Sequence, residues 1–513
     1  MSARILPCIA DGYIQNRIFN GKTRSTDANV GLGGTIDIFK LYDEHPISSS
    51  MEFTLSGAIE LSRGLLKFDL DPIRALTGSV IDLNTNFSCS LLMESVFAGQ
   101  PVPSNTSLSV HLLSKSFDEG QGFDVVSYND LDSANFVTAS VSAGSASLWN
   151  ITGSGKSGYL GQKNVDYITG SADFGDLISN QLFKLGIENL NVDVTKLVSA
   201  SLTQDIDHGF RLSLSSSHET DDKSYFVFRF ASRHSTNPAI RPRLYVRWND
   251  AVQDHHEDFQ FDLSGSLFLR NYARGRLTNI VSGTALTQIT GNNSILLKLE
   301  SGSTKFFVTG AQHNFGTNLW QSGTYSASFL IPSVKNSTLY TEIQSAGSAS
   351  FDEIWSSLDE SIAYHSASTP FVVKSQVRSF SNSPKRLVLN ISNLRSQYSQ
   401  NEVARFRVQV FDVDEEFKAS KFPLERKSLI FPKMYYQLRD ANTLDTIIPF
   451  DAKGEGDGID GTLMSVDENG MFFDVWINDL PLGRSYKFDF KIKENNGSEM
   501  IFSDLDLRFV VAN

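Results

Sequence analysis

Leu61-Ser-Arg-Gly-Leu-Leu-Lys-Phe-Asp-Leu-Asp-Pro-Ile73 is the stretch on which the fold turns. Leu66, Phe68 and Leu70 alternate with Lys67, Asp69 and Asp71, a period of two that predicts a strand with one buried face. Pro72 ends it, because a residue without a backbone N–H cannot extend a sheet ladder. A matching strand is predicted at Arg241-Pro-Arg-Leu-Tyr-Val-Arg-Trp248, with Leu244, Val246 and Trp248 as its apolar face. These two strands bracket the largest domain of the chain.

Working outward, 513 residues exceed what one core organises, and three domains are expected: 1–250, 251–368 and 369–513. All three read as all-β, serial β-sandwich domains. In the first, Ser88–Met93, Ser107–Leu113, Leu190–Val194, Gly209–Leu214 and Tyr225–Phe230 are short apolar segments separated by Ser, Asn, Asp and Gly. They predict a jelly-roll-like sandwich with a helix only near Thr195–Ala200. Ser140–Tyr159, rich in Ser, Gly and Ala around Trp149, reads as an extended surface loop.

The charged run Asp254-His-His-Glu-Asp258 marks the next boundary. Beyond it, Ser266–Arg270, Ser294–Leu299, Thr304–Val308, Thr324–Leu330 and Thr338–Ile343 predict a smaller middle sandwich, and Phe351–Leu358 a short amphipathic helix. Ser361–Thr369, ended by Pro370, reads as a hinge. Phe371–Val377 and six later strands, ending with Leu505–Val511, predict an immunoglobulin/fibronectin-like third domain. There Pro481-Leu-Gly-Arg-Ser-Tyr486 reads as a loop feeding a buried tyrosine whose hydroxyl bonds the backbone.

The net charge of −13 argues against a phosphate-neutralising surface, so nucleic acid is excluded as a partner. The aromatic content, with 37 Phe against two Cys, points to aromatic cores in place of disulfides; Cys8 and Cys89 could pair, but two cysteines in so large a chain are more often buried thiols. The opening segment, broken by Pro7, is too short for a secretory signal, and no later window suits a membrane span. Synthesis and folding in a cytoplasm are expected.

The order Asp-Gly-Tyr-Ile (11–14), Ala-Asn-Val-Gly (28–31), Arg-Gly-Leu-Leu-Lys-Phe-Asp-Leu (63–70), Val-Asp-Val-Thr-Lys-Leu-Val (192–198), Gly-Phe-Arg-Leu (209–212) and Arg-Pro-Arg-Leu-Tyr-Val (241–246) resembles the disaggregatase-related DNRLRE domain. That family is a carbohydrate-binding-type β-sandwich found beside polysaccharide enzymes and in phage particles. Pro103-Ser-Asn, Ser116-Phe-Asp-Glu-Gly120 and Phe228-Arg-Phe-Ala-Ser-Arg-His234 resemble more narrowly the virion structural proteins of marine tailed bacteriophages. The resemblance implies a structural, decoration or adaptor protein of a virion, on the neck, tail or baseplate, made in the host cytoplasm. Its implied partners are other virion proteins and copies of itself. A polysaccharide-binding module reading host surface glycan is the alternative, and capsid-surface decoration or glycan hydrolysis stand behind it.

No catalytic constellation is legible. The nine histidines fall in no nucleophile-elbow or zinc-protease spacing. Gly153-Ser-Gly-Lys-Ser157 has the flavour of a phosphate loop, but Asn150 stands where its first glycine belongs. Asp118-Glu-Gly-Gln-Gly-Phe-Asp124 with Asp130 and Asp132, and the Asp451–Asp460 loop with Glu455 and Asp457, gather oxygen donors without the register of a Ca²⁺ loop, and read as acidic turns. His255 and His256 are adjacent and expected to diverge. No catalytic residue, no cofactor and no metal is therefore assigned, and the protein is expected not to be an enzyme.

Overall fold

The computed structural model describes residues 2–19, 23–49, 52–99, 101–123, 132–283, 286–317, 319–333, 337–375, 386–414, 428–451, 459–493 and 498–513. The fold is all-β, with many sheets and few short helices. The chain divides into two compact units: an amino-terminal unit of Arg4–Ala75 and Phe87–Arg247, and a carboxy-terminal unit of Met1–Ala3, Leu76–Asn86 and Trp248–Asn513.

In the amino-terminal unit the strand around the opening stretch runs from Glu52 to Phe68 and changes partners along its length. Up to Leu61 it pairs with Thr35–Ser49, and from Ser62 onward with Ser2–Gln15. Phe210–Leu214 lies on the other side, with Phe210 opposite Leu66. Leu65, Leu66 and Phe68 are all buried, so both faces of this strand are covered, and Leu70 just beyond it is buried as well. Thr106–Leu113 continues the sheet beyond Phe210–Leu214, while Arg243–Trp248, Phe87–Met93 and Leu190–Asp193 continue it beyond Ser2–Gln15. Cys8 and Cys89 are buried free thiols.

The carboxy-terminal unit holds two sets of sheets. One is a seven-stranded antiparallel array over Ser264–Arg270, Trp320–Leu330, Thr304–Asn314, Ile295–Ser301, Ser348–Ser356, Ala363–Ser366 and Phe371–Lys374, around a core that includes Phe259, Tyr325, Phe351 and Trp355. The other pairs a four-stranded sheet with a six-stranded one through aromatic rings: Phe473 stacks on Tyr436 at 4.2 Å and Phe406 meets Phe488 edge-on at 4.7 Å between centroids. Tyr486 is buried and donates its hydroxyl to the Pro481 carbonyl at 3.2 Å, as expected from the sequence. Tyr486→Phe removes one neutral hydrogen bond with little change in shape, and is expected to lower stability by about 0.5–1.5 kcal/mol in urea unfolding.

Several expectations are corrected. Thr338–Ile343 lies in a helix, Ser337–Ala346, not a strand. Phe351–Leu358 is not helical but falls largely in the strand Ser348–Ser356. The serine-rich hinge contains the strand Ala363–Ser366, paired with Ser348–Ser356. Phe371–Lys374 pairs with the same strand and belongs to the middle sheet, not to the last sandwich. Ser140–Tyr159 is no open loop: Thr138–Ser142 and Ser145–Leu148 form a hairpin, and Trp149 after it is buried, its indole N–H donating to Asn135 O at 2.9 Å.

Candidate functional site

Within the amino-terminal unit three titratable side chains from distant segments converge: Asp11, Glu119 and His234. Asp11 follows a register shift between Cys8 and Ala10, where the strand bulges. A bulge of this kind re-aims the side chains after it. Asp11 consequently points inward and is fully buried.

Glu119 is positioned by Asn29, which is buried and uses its whole amide. Asn29 Nδ2 donates to Glu119 O and Ala134 O, each at 2.8 Å, and Oδ1 accepts from Gly31 N and Gly122 N. The loop approaches so closely that a Cβ on Gly31 would lie 1.9 Å from Glu119 O, which is why a glycine stands there. The third segment follows the strand Tyr225–Ala231. Ser232 Oγ donates to Gly33 O at 2.5 Å and accepts from His234 N at 3.1 Å, fixing the turn that carries Arg233 and His234.

Arg233 N donates to Asp11 Oδ2 at 2.6 Å, and its guanidinium grips Glu119 through Oε1 and Oε2. Glu119 Oε1 also accepts from Asp11 N at 2.9 Å and lies 3.3 Å from His234 Nε2. A cavity of about 10 Å³ adjoins the cluster, bounded by Asp11, Tyr13, Asn29, Phe117 and Glu119 among others, which is room for one water-sized species. Burial, reinforced by the charge of Glu119, pushes the Asp11 carboxyl up to about 7 against the lowering effect of the Arg233 N–H. Asp11 Oδ1 is buried and has no hydrogen-bond partner. The sequence concealed this cluster because its members stand 108 and 115 residues apart, outside any local spacing. Each lies in a segment quoted for the family resemblance, and those segments meet here.

The sequence-flagged groups are placed otherwise. The amides of the phosphate-loop-like stretch close on a carboxylate of the protein's own: buried Asp166 accepts from Asn150 N, Ile151 N and Lys156 N at 2.7–3.0 Å. Asp118 Oδ2 accepts from Val141 N at 2.7 Å, while Asp124 and Asp130 lie outside the described residues. Asp451 Oδ2 accepts from Gly461 N at 2.5 Å at the base of its loop, and Glu455 and Asp457 lie outside the described residues.

His255 and His256 diverge. His255 Nδ1 accepts from Ser266 N at 3.1 Å. His256 sits between two buried carboxylates, Nδ1 at 2.5 Å from Asp254 Oδ1 and Nε2 at 3.1 Å from Glu353 Oε2. Burial alone would lower its pKa, but the two carboxylates outweigh it and push it up to about 10. A histidine whose folded pKa exceeds its unfolded value of about 6.5 stabilises fully below that value and loses its contribution as pH rises through about 10. The stability gap between the wild type and His256→Gln is therefore expected to shrink from pH 6 to pH 10 in urea unfolding. A gap that stays constant would contradict the ion-pair assignment.

No family model matches the chain, and no curated protein matches it. Among solved structures it is similar to a Ca²⁺-stabilised adhesin of an Antarctic bacterium that binds ice, at 8% identity and a TM-score of 0.14, covering 99% of this chain and 91% of that one. It is also similar to a 1.5-MDa bacterial ice-binding adhesin, at 9% identity and a TM-score of 0.13, covering 61% and 80%. A third likeness is to the native conformation of E. coli alpha-2-macroglobulin, at 10% identity and a TM-score of 0.14, covering 92% of this chain and 26% of that one. Likenesses of this size carry no conclusion about activity or partners.

Proposed function

We propose that the chain is a non-enzymatic structural or adaptor protein of a tailed-phage virion, placed on the neck, tail or baseplate and repeated in symmetric copies. The reading rests on the resemblance of its motifs and on one physical feature of the carboxy-terminal unit. Residues 252–254 of this unit are laid into its last sandwich. Val466 N donates to Val252 O at 2.8 Å, Asp254 N donates to Val466 O at 3.2 Å, and Gln253 Nε2 donates to Met464 O at 2.9 Å. Trp248, fully buried, sets its ring edge-on to Trp476 at 5.2 Å.

Residues 76–86 are tied into the same unit. Asp82 Oδ2 accepts from Thr317 N at 2.9 Å, and Asn86 Nδ2 donates to Phe315 O at 3.0 Å and Asn249 O at 3.1 Å. Connections bonded into a sheet give a stiff unit, as a part that holds neighbours in register needs. The net charge of −13 discourages adhesion to packaged nucleic acid. Among the described residues no helix is long and apolar enough to cross a membrane.

Mass spectrometry and immunogold labelling of purified particles test the proposal: the protein is expected in mature virions at a fixed copy number, and its absence from them would overturn it. A second reading, recognition of a host polysaccharide, is favoured by the exposed rings of Phe97, Phe123 and Tyr159. Saturable binding on a glycan array, lost with alanine at these positions, would support it.

A further inference from the structure

We propose that Asp11, Glu119 and His234 bind one first-row divalent transition-metal ion of the zinc or manganese kind. Their ligand atoms, one imidazole nitrogen and two carboxylate oxygens, all lie within 4.8 Å of one another. A metal about 2.0–2.2 Å from each donor draws neighbouring ligand atoms to roughly 3 Å apart, so small side-chain adjustments close the shell. The contact of 3.3 Å between His234 Nε2 and Glu119 Oε1 already has nearly that separation.

The second observation is independent of the clustering. Asp11 is fully buried, its Oδ2 is fixed by the Arg233 N–H, and its Oδ1 has no hydrogen-bond donor. A buried carboxylate oxygen without a partner is costly, and a bound ion at this oxygen would remove that cost. A cavity of about 10 Å³, enough for one water-sized species, reaches the Asp11 and Glu119 side of the cluster but is not lined by His234.

The surroundings match a ligand shell with an outer layer. Arg233 holds both oxygens of Glu119, which orients the carboxylate as outer-shell partners of metal ligands do. It also neutralises one of the two negative charges, so the site favours an ion bound partly through nitrogen over one bound by charge alone. Imidazole suits zinc, the two carboxylates also admit manganese, and Ca²⁺ and Mg²⁺ prefer all-oxygen shells. The charged and titratable groups acting on Asp11 are Glu119, Arg233 and Arg241, with the buried Cys8 thiol also nearby. The bound ion would join the strand bearing Asp11, the loop bearing Glu119 and the turn bearing His234.

The test uses the full chain, stripped with EDTA and dialysed, titrated calorimetrically with Zn²⁺, with Mn²⁺ and with Ca²⁺. One equivalent of Zn²⁺ or Mn²⁺ is expected to bind, with a raised unfolding temperature, and Ca²⁺ more weakly. Asp11→Asn, which keeps an oxygen for the Arg233 N–H, and His234→Ala are each expected to weaken binding at least tenfold. Saturable binding that both variants retain at wild-type affinity would overturn the proposal, as would no binding of Zn²⁺ or Mn²⁺ to the wild type. Should a variant fail to fold, Glu119→Gln, which keeps an acceptor for Arg233, is the second variant: at least tenfold weaker binding supports the site, and wild-type affinity overturns it.

Discussion

Glu219→Ala is expected to destabilise the amino-terminal unit by about 3–5 kcal/mol, because it leaves buried positive charge uncompensated. Glu219 lies in the short helix Ser216–Thr220, which buries no apolar side chain. Arg63 donates to it through Nε and Nη2, both at 2.8 Å, and Arg211 approaches at 3.4 Å. Only 9% of the Arg63 side chain and 2% of that of Arg211 are exposed. Arg211 also lies over the Tyr167 ring at 4.2 Å, and with burial it pushes His111 down to about 3. A second anchor, fully buried Lys40, donates to His218 O at 2.8 Å and to Asp221 Oδ1 at 2.6 Å. The helix is thus held by ions and not by grease. Guanidinium unfolding of Glu219→Ala and Glu219→Gln checks this: Gln, which keeps an acceptor, is expected to lose less. A loss below about 1 kcal/mol for alanine would place the pair in the class of exposed ion pairs instead.

Phe406→Ala is expected to cost a similar amount in the last sandwich, about 3–5 kcal/mol, by emptying the centre of its aromatic stack. Phe406 is fully buried and meets Tyr398, Phe473, Phe488 and Phe509 at 4.7–5.8 Å between ring centroids. Rings that share partners do not act independently. The double variant Phe406→Ala with Phe473→Ala is therefore expected to lose less than the sum of the single losses. Chemical unfolding of all three variants measures the difference, and strict additivity would contradict a cooperative stack.

Where side chains alternate cleanly between apolar and polar, the strands were legible. Leu244, Val246 and Trp248 are buried as their spacing requires, and so are Leu66 and Phe68, whereas Leu70 is buried beyond the end of its strand at Phe68, as the residue before the helix Asp71–Arg74. Reading failed where a charge is buried or where two periods coincide. In Ser348–Ser356 the inward face is Phe351, Glu353 and Trp355, and Glu353 belongs to it only because His256 and the Trp355 indole N–H neutralise it. A charged residue in an apolar phase breaks the alternation on paper. Leu339 and Ile343 satisfy both a strand and a helix spacing; both are buried from a helix, with Tyr340 between them largely exposed.

The candidate site was hidden for a related reason. Asp11 reads as the polar side of a strand until the bulge between Cys8 and Ala10 is taken into account, and backbone irregularity has no side-chain signature. Glu119 stands in sequence as one acid in a run, and its partners come from the far ends of the unit.

The bonding of residues 252–254 to the strand Ser465–Asp467 bears on how such genes can recombine. An exchange that joined a foreign partner at the sequence's own domain break, near residue 369, would separate the last sandwich from the peptide that occupies the backbone of Val466. It would then present unpaired N–H and C=O groups at an edge able to pair with other chains. The two carboxy-terminal sandwiches are therefore expected to be inherited together.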